Sequence, residues 1–540
     1  MFSPISKNLK LFSFLLFLSS VFLLLSFIPN MYELSQKDKV PFDRTMIAGE
    51  HIYTYDYNVY LSKIRQGMEG RLMVVDKYDN NPQDKGVFLQ MLYLSSGWVG
   101  RLFTDSPAMV FHTLRVVLSI LWMGTIVYLC IFFMQPYIHK TRYKIPIILA
   151  FLFCMLSASF PYLYEMEGTT WVGAYMQWWQ EMDIVKRISY IPHYTAGYIL
   201  LSFMTVLMVV YTNTKQKKYF FLLSILLFLS FFIHPSGGLL FLMSFILYRA
   251  IVILQLKTFD KKTLLLATLQ SLALFSIALV PLAYIKMATS AYPWKSLVDF
   301  DKTNPLPLNV KDYILALGPL FFSGVAGAIL AIIKKKYVLI ALATWVFSAF
   351  AGFFLFSIVT IQSPARFMQT ANHIPLAILS VFLIQEITTK YRHYVFTLIS
   401  SFFIVFVIFL GVVQFYFSIK AQNLFNFQKA QASQPLVAYP SQVTHPLTDV
   451  YNAYLWLDKH TKNDEVVLSK ITAGNFIPAY SGNFVYIGHN PETPDFAQRE
   501  AKVKQFFSLT QEEKEMRAFL QKERISYIFY GPQEKEESPN

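Results

Sequence analysis

The chain has 540 residues, of which 55% are hydrophobic and only 15% are charged. Soluble domains carry roughly 25% charged residues, so a chain this apolar could not bury its hydrophobic side chains in water. The composition therefore excludes a soluble protein and indicates an integral membrane protein. The formal net charge of +14 has to be explained by how the cations are distributed along the chain.

Eleven apolar stretches predict transmembrane helices, since most reach the roughly 20 residues that a helix needs to cross a bilayer. They cover residues 11–29, 107–134, 145–163, 194–212, 219–233, 236–255, 263–285, 313–333, 338–360, 373–388 and 394–418. The first stretch follows Lys7 and Lys10, as in a signal peptide. No convincing small-residue cleavage site follows it, so we expect an uncleaved membrane anchor.

The loops between these stretches predict the orientation of the protein. If the N-terminus is cytoplasmic, all five inner loops are basic, as the positive-inside bias requires. Their cations are Lys140, Arg142, Lys144, Lys215, Lys217, Lys218, Lys257, Lys261, Lys262, Lys334, Lys335, Lys336, Lys390 and Arg392. Helix orientation and anionic lipid then explain the positive charge, and we expect no nucleic-acid partner. Eleven crossings place the C-terminus outside the plasma membrane.

The predicted fold class is a multi-pass α-helical membrane protein with a small C-terminal extracytoplasmic α/β domain. We expect the transmembrane domain to cover residues 1–418, the α/β domain 419–531 and a disordered tail 532–540. Alternating helices and strands after the last span are typical of an α/β domain. The predicted elements are helices at 448–461 and 497–522 and strands at 465–469, 484–488 and 525–531.

The first outer loop, residues 31–106, contains two segments in which apolar residues recur every three or four positions. These segments, 56–70 and 84–103, predict amphipathic helices on the outer leaflet. Asp56 stands among tyrosines, of which Tyr60 is a candidate substrate-binding residue, with no Lys or Arg within about six positions. A carboxylate with few cations nearby can be tuned towards a general base. Alternatively, Asp56 caps the helix, which is worth typically about 1 kcal/mol.

The second outer loop, residues 164–193, combines carboxylates with aromatic residues. Its candidate substrate-binding residues are Glu165, Glu167 and His193, beside Trp171, Trp178 and Trp179. Sugar rings suit such a surface, because their C–H faces stack on aromatic rings and their hydroxyls need acceptors. The alternative is the interfacial belt of Trp and Tyr that many membrane proteins carry.

Two further outer positions are candidates for substrate binding. Arg366 is the only cation in its short outer loop, and an arginine there needs an anion such as a lipid phosphate or pyrophosphate. Its alternative role is snorkelling to the headgroups. His234 begins a His-Pro-Ser-Gly-Gly turn, for which close helix packing is the simpler explanation.

Several classes of protein are disfavoured by what the spans contain. Ionisable residues are nearly absent from them, with His112 and Arg115 the chief exceptions, which counts against a proton or ion transporter. The two cysteines, Cys130 and Cys154, both fall in predicted spans, so no thiolate metal site is expected outside. No P-loop, dinucleotide-binding or zinc-protease motif occurs.

Together, the many spans, the acid in the first outer loop and the outer α/β domain resemble the GT-C superfamily of glycosyltransferases. Members of that superfamily transfer sugars from polyprenyl-phosphate donors outside the membrane and use a first-loop Asp or Glu. The resemblance implies an inverting hexosyl or mannosyl-type transferase with Asp56 as the base. It makes Arg366 the candidate for the donor phosphate, with Glu167 and His193 in the pocket. The acceptor would be a lipid, a glycan or a protein.

The sequence also departs from patterns within that superfamily. Asp56 has no adjacent second acid, no Asp-x-Asp occurs in the loop, and Gln180 follows Trp178-Trp179 where oligosaccharyltransferases have Asp. We therefore expect no cofactor, although Asp76 and Asp79 could bind a divalent metal. The alternative functions are a polysaccharide polymerase or ligase, a lipid or sugar flippase, and a non-catalytic protein of cell-envelope assembly.

Overall fold

A computed structural model describes residues 9–47, 54–82, 85–137, 144–166, 168–177, 179–189, 191–257, 260–306, 309–358, 363–390, 394–430 and 445–537. Its elements are mostly α-helices, with two small sheets. The chain divides into two compact units. Unit 1 comprises residues 1–28, 115–282 and 306–420, and unit 2 comprises residues 29–114, 283–305 and 421–540. The predicted boundary between residues 418 and 419 stays a prediction.

In chain order the helices are α1 (Leu9–Ser26), α2 (Ile28–Ser35), α3 (Thr54–Met68), α4 (Met91–Gly100), α5 (Pro107–Met134), α6 (Lys144–Leu156), α7 (Lys186–Ser189), α8 (Pro192–Thr214), α9 (Lys217–Ile233), α10 (Pro235–Leu256), α11 (Lys261–Ala288), α12 (Lys295–Thr303), α13 (Val310–Leu317), α14 (Pro319–Ile333), α15 (Tyr337–Ile358), α16 (His373–Lys390), α17 (Tyr394–Ala430), α18 (Thr448–His460), α19 (Ile471–Tyr480), α20 (Phe496–Phe507), α21 (Glu513–Lys522) and α22 (Pro532–Glu537). The strands are β1 (Pro161–Met166), β2 (Thr169–Ala174), β3 (Val466–Leu468), β4 (Phe484–Val485) and β5 (Ile525–Ile528).

The helices confirm a multi-pass membrane fold. Among the described residues, six helices are long and apolar enough to cross a bilayer: α5, α8, α10, α11, α15 and α17. The pairs α1–α2 and α13–α14 bend by 40° and 90° and raise the number to eight if each pair is one span. All eleven predicted stretches contain helix, but α6 and α9 have only 13 and 17 residues. The count of eleven and the N-in, C-out orientation therefore stay predictions.

Unit 1 is a helical bundle with one β-hairpin. Its largest helix contacts are α14 with α16, α8 with α9 and α10 with α15. The hairpin β1–β2 is antiparallel and lies in the predicted second outer loop. Trp345 of α15 is fully buried and donates a hydrogen bond to the carbonyl of Thr370, which precedes α16. The apolar composition of the spans explains why the helices of this unit pack through hydrophobic side chains.

Unit 2 contains a three-stranded parallel sheet in the order β4-β3-β5, surrounded by helices. The strands match the three predicted strands but are shorter. The helices predicted within 497–522 are α20 and α21. The helix α19 was not predicted, and its sequence contains Gly474 and Pro478. Val59 and Tyr78, from the first outer loop, lie in the hydrophobic core with Val467 of β3.

The predicted amphipathic helices of the first outer loop form, but α3 does not present one face to lipid. It packs against α4 and α19, and its polar residues Asn58 and Lys63 are fully buried. A Cβ on Gly67 would lie 2.0 Å from the carbonyl oxygen of Leu94, so only glycine permits this approach of α3 to α4. The prediction of a surface helix was wrong because the polar side chains bind protein groups instead of water.

The predicted disordered tail also differs from the structure. Residues 532–537 form α22, and Glu534 is buried there. Its carboxylate accepts hydrogen bonds from the backbone N–H of Lys470 at 2.6 Å and of Gly531 at 3.1 Å. The charged composition of this segment suggested disorder, but one of its acids caps the backbone of the adjacent loop.

Candidate functional site

Asp56 is the third residue of α3, and its carboxylate contacts a histidine of the C-terminal segment. Its Oδ1 lies 3.1 Å from Nε2 of His489. The Asp56 side chain is 39% exposed, whereas that of His489 is 6% exposed. A partly exposed carboxylate is therefore oriented by a buried imidazole, an arrangement that can accept a proton from a bound hydroxyl.

The imidazole of His489 lies between two tyrosine rings. The ring centroids of Tyr55 and Tyr78 are 4.4 Å and 5.7 Å from it. The hydroxyl of Tyr55 accepts a hydrogen bond from the backbone N–H of Asn490. The carbonyl of His489 accepts from the N–H of Thr493 at 2.7 Å, which closes a tight turn. These contacts fix the position of the ring.

The same turn carries a second charged contact to α3. Glu492 forms an ion pair with Lys63, and both side chains are buried. Residues 56 and 63 are seven apart on a helix, about two turns, so they share one face. The ammonium of Lys63 also lies 5.5 Å from the ring centroid of Trp294. The turn over residues 488–493 thus binds one face of α3 at two points.

The two acids of the first outer loop that could have bound a divalent metal, Asp76 and Asp79, contact protein groups instead. Asp79 accepts a hydrogen bond from Arg499 at 2.6 Å. Burial and the nearby charge of Glu492 raise the pKa of Asp76 well above its usual value, and its Oδ1 accepts from the N–H of Tyr78. Among the described residues, no three His, Cys, Asp or Glu side chains are grouped to bind a metal ion. The expectation that no metal is required stays a prediction.

The capping alternative for Asp56 finds no support among the described contacts. The helix already begins at Thr54, and no described backbone N–H donates to this carboxylate. Tyr60, on the same helix, is partly buried and stacks on Tyr93 at 4.5 Å. Tyr60 thus lies in an aromatic cluster one turn beyond Asp56, and a role in substrate binding stays a prediction.

In unit 1, Arg366 is oriented by two neutral side chains. Its Nη1 donates to the hydroxyl of Tyr194 at 2.8 Å and to Oε1 of Gln369 at 3.3 Å. The Tyr194 hydroxyl also donates to Gln369 at 3.0 Å. The ring of His193 lies 4.3 Å from that of Tyr194. The two predicted residues His193 and Arg366 therefore both contact Tyr194. A partly buried guanidinium is a group that can bind an anion such as a phosphate.

His234 lies beside this cluster and is tightly packed. Its ring is 5.5 Å from that of Tyr194, and its Nε2 is 3.3 Å from Oγ of Ser236. A Cβ on Gly197 would lie 2.6 Å from the Cβ of His234, and one on Gly237 would lie 2.7 Å from its Nδ1. The geometry favours the packing interpretation of the His-Pro-Ser-Gly-Gly turn.

Neither of the two carboxylates predicted to bind substrate in the second outer loop has a described contact with this cluster. Glu165 is exposed on β1, opposite Thr170, and no described contact joins it to Arg366. Glu167 and Trp178 fall outside the described residues. Trp171 is buried, and the ammonium of Lys420 lies over its ring, 4.2 Å from the ring centroid.

The sequence predictions did not include a buried acid of the second outer loop, Glu181, or two residues of the C-terminal segment, His489 and Glu492. Glu181 is buried and accepts from the hydroxyl of Tyr198 at 3.2 Å and the N–H of Asn372 at 3.2 Å, and burial raises its pKa to about 8. His489 and Glu492 come after β4, and His489 directly follows the predicted strand 484–488. Loops at the carboxyl ends of parallel strands often carry functional residues, so the His-Asn-Pro-Glu segment after a predicted strand was an available signal.

The bundle of apolar helices, the folded first outer loop and the α/β sheet define a class of fold: the chain shares the fold of an archaeal oligosaccharyltransferase. No family model matches the sequence, and no characterised protein matches it significantly by sequence.

The similarity is to solved structures of the archaeal oligosaccharyltransferase AglB from Archaeoglobus fulgidus. The complex with an inhibitory peptide and a dolichol-phosphate has a TM-score of 0.54 and 12% identity, over 93% of this chain and 68% of AglB. The apo form has a TM-score of 0.52 and 13% identity, over 94% and 69%. A form tethered to an acceptor peptide has a TM-score of 0.50 and 12% identity, over 94% and 68%. At identities this low, the structural similarity shows a shared fold alone.

Proposed function

We propose that the protein is a GT-C-type membrane glycosyltransferase that moves a sugar from a polyprenyl-phosphate donor to an extracytoplasmic acceptor. The observation that carries this proposal is the Asp56 carboxylate. It is partly exposed, stands in the first turn of the first-loop helix of a GT-C fold, and has one oxygen bound by His489. The proposal includes the N-in, C-out orientation, which places this helix outside the membrane.

The proposed reaction is a single displacement with inversion. Asp56 accepts the proton of an acceptor hydroxyl while the hydroxyl oxygen attacks the anomeric carbon. The bond between that carbon and the phosphate oxygen breaks, and its electron pair leaves with the polyprenyl phosphate. General-base assistance of this kind is worth about 10²–10⁴-fold, provided that the two reactants are held in line.

We assign the donor phosphate to Arg366. Negative charge develops on the leaving phosphate as the glycosidic bond breaks, and a guanidinium oriented by Tyr194 and Gln369 would stabilise it. His193 and His234 would then line the same binding region as uncharged neighbours. The presence of a dolichol-phosphate in one AglB structure supports a lipid-phosphate donor for a protein of this fold.

The acceptor is proposed only by class: a lipid, a glycan or a protein. One AglB structure contains a tethered acceptor peptide, which keeps a polypeptide among the candidates. The sugar is proposed to be a hexose, with mannose first to be tested. Gln180 after Trp178-Trp179 gives no reason to assign the oligosaccharyltransferase reaction itself.

The test is sugar transfer from a panel of radiolabelled polyprenyl-phosphate sugars, mannose first, to endogenous acceptors in membranes. Wild type, Asp56→Asn and the matched control Asp105→Asn, an exposed acid of the same loop, are compared at equal abundance. We expect transfer by wild type and the control and its loss in Asp56→Asn. Products of increasing chain length would instead indicate a polymerase. Absence of transfer from every donor in wild type would favour a flippase or an assembly protein.

A further inference from the structure

We propose that His489 is a positioning residue, whose N–H binds Oδ1 of Asp56 so that Oδ2 is the oxygen that takes the acceptor proton. The inference rests on the proposed function and assigns part of its site to the C-terminal segment. It requires that the imidazole donates to the carboxylate, that the ring is fixed, and that the contact is not merely structural. Each requirement can be checked against the geometry.

The contact with His489 uses only one of the two carboxylate oxygens of Asp56. Oδ1 lies 3.1 Å from Nε2 of His489, and Oδ2 has no hydrogen-bond partner among the described residues. The side chain is 39% exposed, so a substrate hydroxyl can reach Oδ2. With one oxygen bound, the carboxylate cannot rotate freely, and the lone pairs of the other point in one direction. A base fixed in this way meets the geometric demand of proton transfer.

The tautomer of His489 follows from the surroundings of its other nitrogen. Nδ1 is buried and has no hydrogen-bond partner among the described residues. A buried N–H without an acceptor is costly, so the proton belongs on Nε2, where Asp56 accepts it. The imidazole then donates through Nε2, and this hydrogen bond orients the carboxylate.

The second requirement is a fixed ring, and several contacts between the C-terminal segment and α3 provide it. The ring of Tyr55 packs against the imidazole at a tilt of 43°, and the carbonyl of Tyr55 accepts a hydrogen bond from the side chain of Asn475 at 3.0 Å. Asn475 in turn accepts from the amide of Asn58 at 2.8 Å, and Glu492 pairs with Lys63 two turns further along. The turn over residues 488–493 therefore cannot shift relative to α3 without breaking buried polar contacts.

The third requirement separates positioning from structural support. The Lys63–Glu492 pair is fully buried, so the stability of this junction depends on it. The Asp56–His489 contact involves a partly exposed carboxylate, which contributes little to stability. The two contacts lie on the same face of α3 and are made by the same turn. One is placed to maintain the fold, and the other is placed to orient a reacting group.

The experiment compares His489→Leu, which removes the donor, with His489→Gln, whose amide N–H can replace the Nε2 donor. His460→Leu is the matched control, since this histidine is exposed in the same C-terminal segment. Purified full-length protein is assayed for kcat and for KM with the polyprenyl-phosphate sugar that wild type accepts, and its unfolding midpoint is measured. We expect His489→Leu to lower kcat about tenfold or more, with KM and unfolding midpoint close to wild type. His489→Gln should retain most of kcat.

Each outcome decides the matter. If wild type is active, Asp56→Asn inactive and His489→Leu fully active, the positioning role is overturned while the proposed function stands. If His489→Gln folds as wild type does but is as impaired as His489→Leu, a donated N–H is not what Asp56 needs, which also overturns it. If every His489 variant loses activity only in proportion to its loss of folded protein, the role is structural. A wild type that transfers no sugar removes the proposed function and this inference together.

Discussion

The Asp56 cluster of unit 2 and the Arg366 cluster of unit 1 bind their charged groups in different ways. In unit 2, the first outer loop and the C-terminal segment contribute opposite charges, as in the pairs Lys63–Glu492 and Asp79–Arg499. In unit 1, Arg366 is oriented by the neutral groups of Tyr194 and Gln369. Paired charges make a rigid support for a base. The guanidinium of Arg366 is the candidate group for an incoming anion.

Removal of one member of the buried ion pair should have the largest effect on stability in unit 2. Lys63→Met leaves Glu492 buried without its cation, and breaking such a pair typically costs about 3–5 kcal/mol. The double variant Lys63→Met/Glu492→Met should regain much of the loss. The unfolding midpoint of the purified protein measures both. If Lys63→Met is as stable as wild type, the pair does not support α3.

The Arg366 side of the comparison predicts a loss of activity without a loss of stability. Arg366→Ala removes the proposed phosphate ligand and should lower sugar transfer about 100-fold or more, since the charge on the leaving phosphate goes unstabilised. Arg366→Lys keeps the positive charge but cannot bind a phosphate through two parallel N–H groups as a guanidinium can, so its activity should be intermediate. Transfer and unfolding midpoint are measured on the same preparations. Equal losses of transfer and of folded protein would remove the phosphate assignment.

Gly197→Ala tests whether His234 is a packing residue. The added Cβ would lie 2.6 Å from the Cβ of His234, so α8 or the turn has to move, at a cost of about 1–3 kcal/mol. Gly124→Ala is the control, because nothing lies within 4 Å of a Cβ there. Thermal unfolding of the two variants gives the comparison. Equal stability of the two would show that the turn has room and that its histidine is not tightly packed.

A smaller, pH-dependent effect is expected from Lys77 in unit 2. Burial lowers its pKa to about 7, and its ammonium donates to the carbonyl of Asn463 at 2.6 Å. The unfolded chain keeps the Lys77 proton up to a higher pH than the folded chain does. Burial of the charged ammonium therefore destabilises the folded state fully below pH 7, and the folded state gains stability as the pH rises above 7. Lys77→Met should remove this rise in the unfolding midpoint, and Lys85→Met, an exposed lysine of the same loop, should keep it. An unchanged pH dependence in Lys77→Met would contradict the lowered pKa.

The sequence predicted the membrane class and the helical stretches, because these depend on hydropathy and local pattern, and the functional role of Asp56 stays a prediction. It could not predict the contact between Asp56 and His489, which are 433 positions apart. Nor could the sequence show that α3 is buried, since a polar residue such as Lys63 gives the same pattern whether it contacts water or Glu492. The missed helix α19 has the opposite cause: its Gly474 and Pro478 oppose a helix, but tertiary packing overrides that preference.

The central claim is that Asp56 is the base of a sugar transfer, and one measurement tests it directly. Donor binding and single-turnover transfer are measured on the same purified wild type and Asp56→Asn, with the donor that wild type accepts. An amide preserves the shape of the side chain but cannot take up the proton, so we predict normal donor binding and transfer slowed about 10²-fold or more. Transfer at the wild-type rate by Asp56→Asn would contradict the claim.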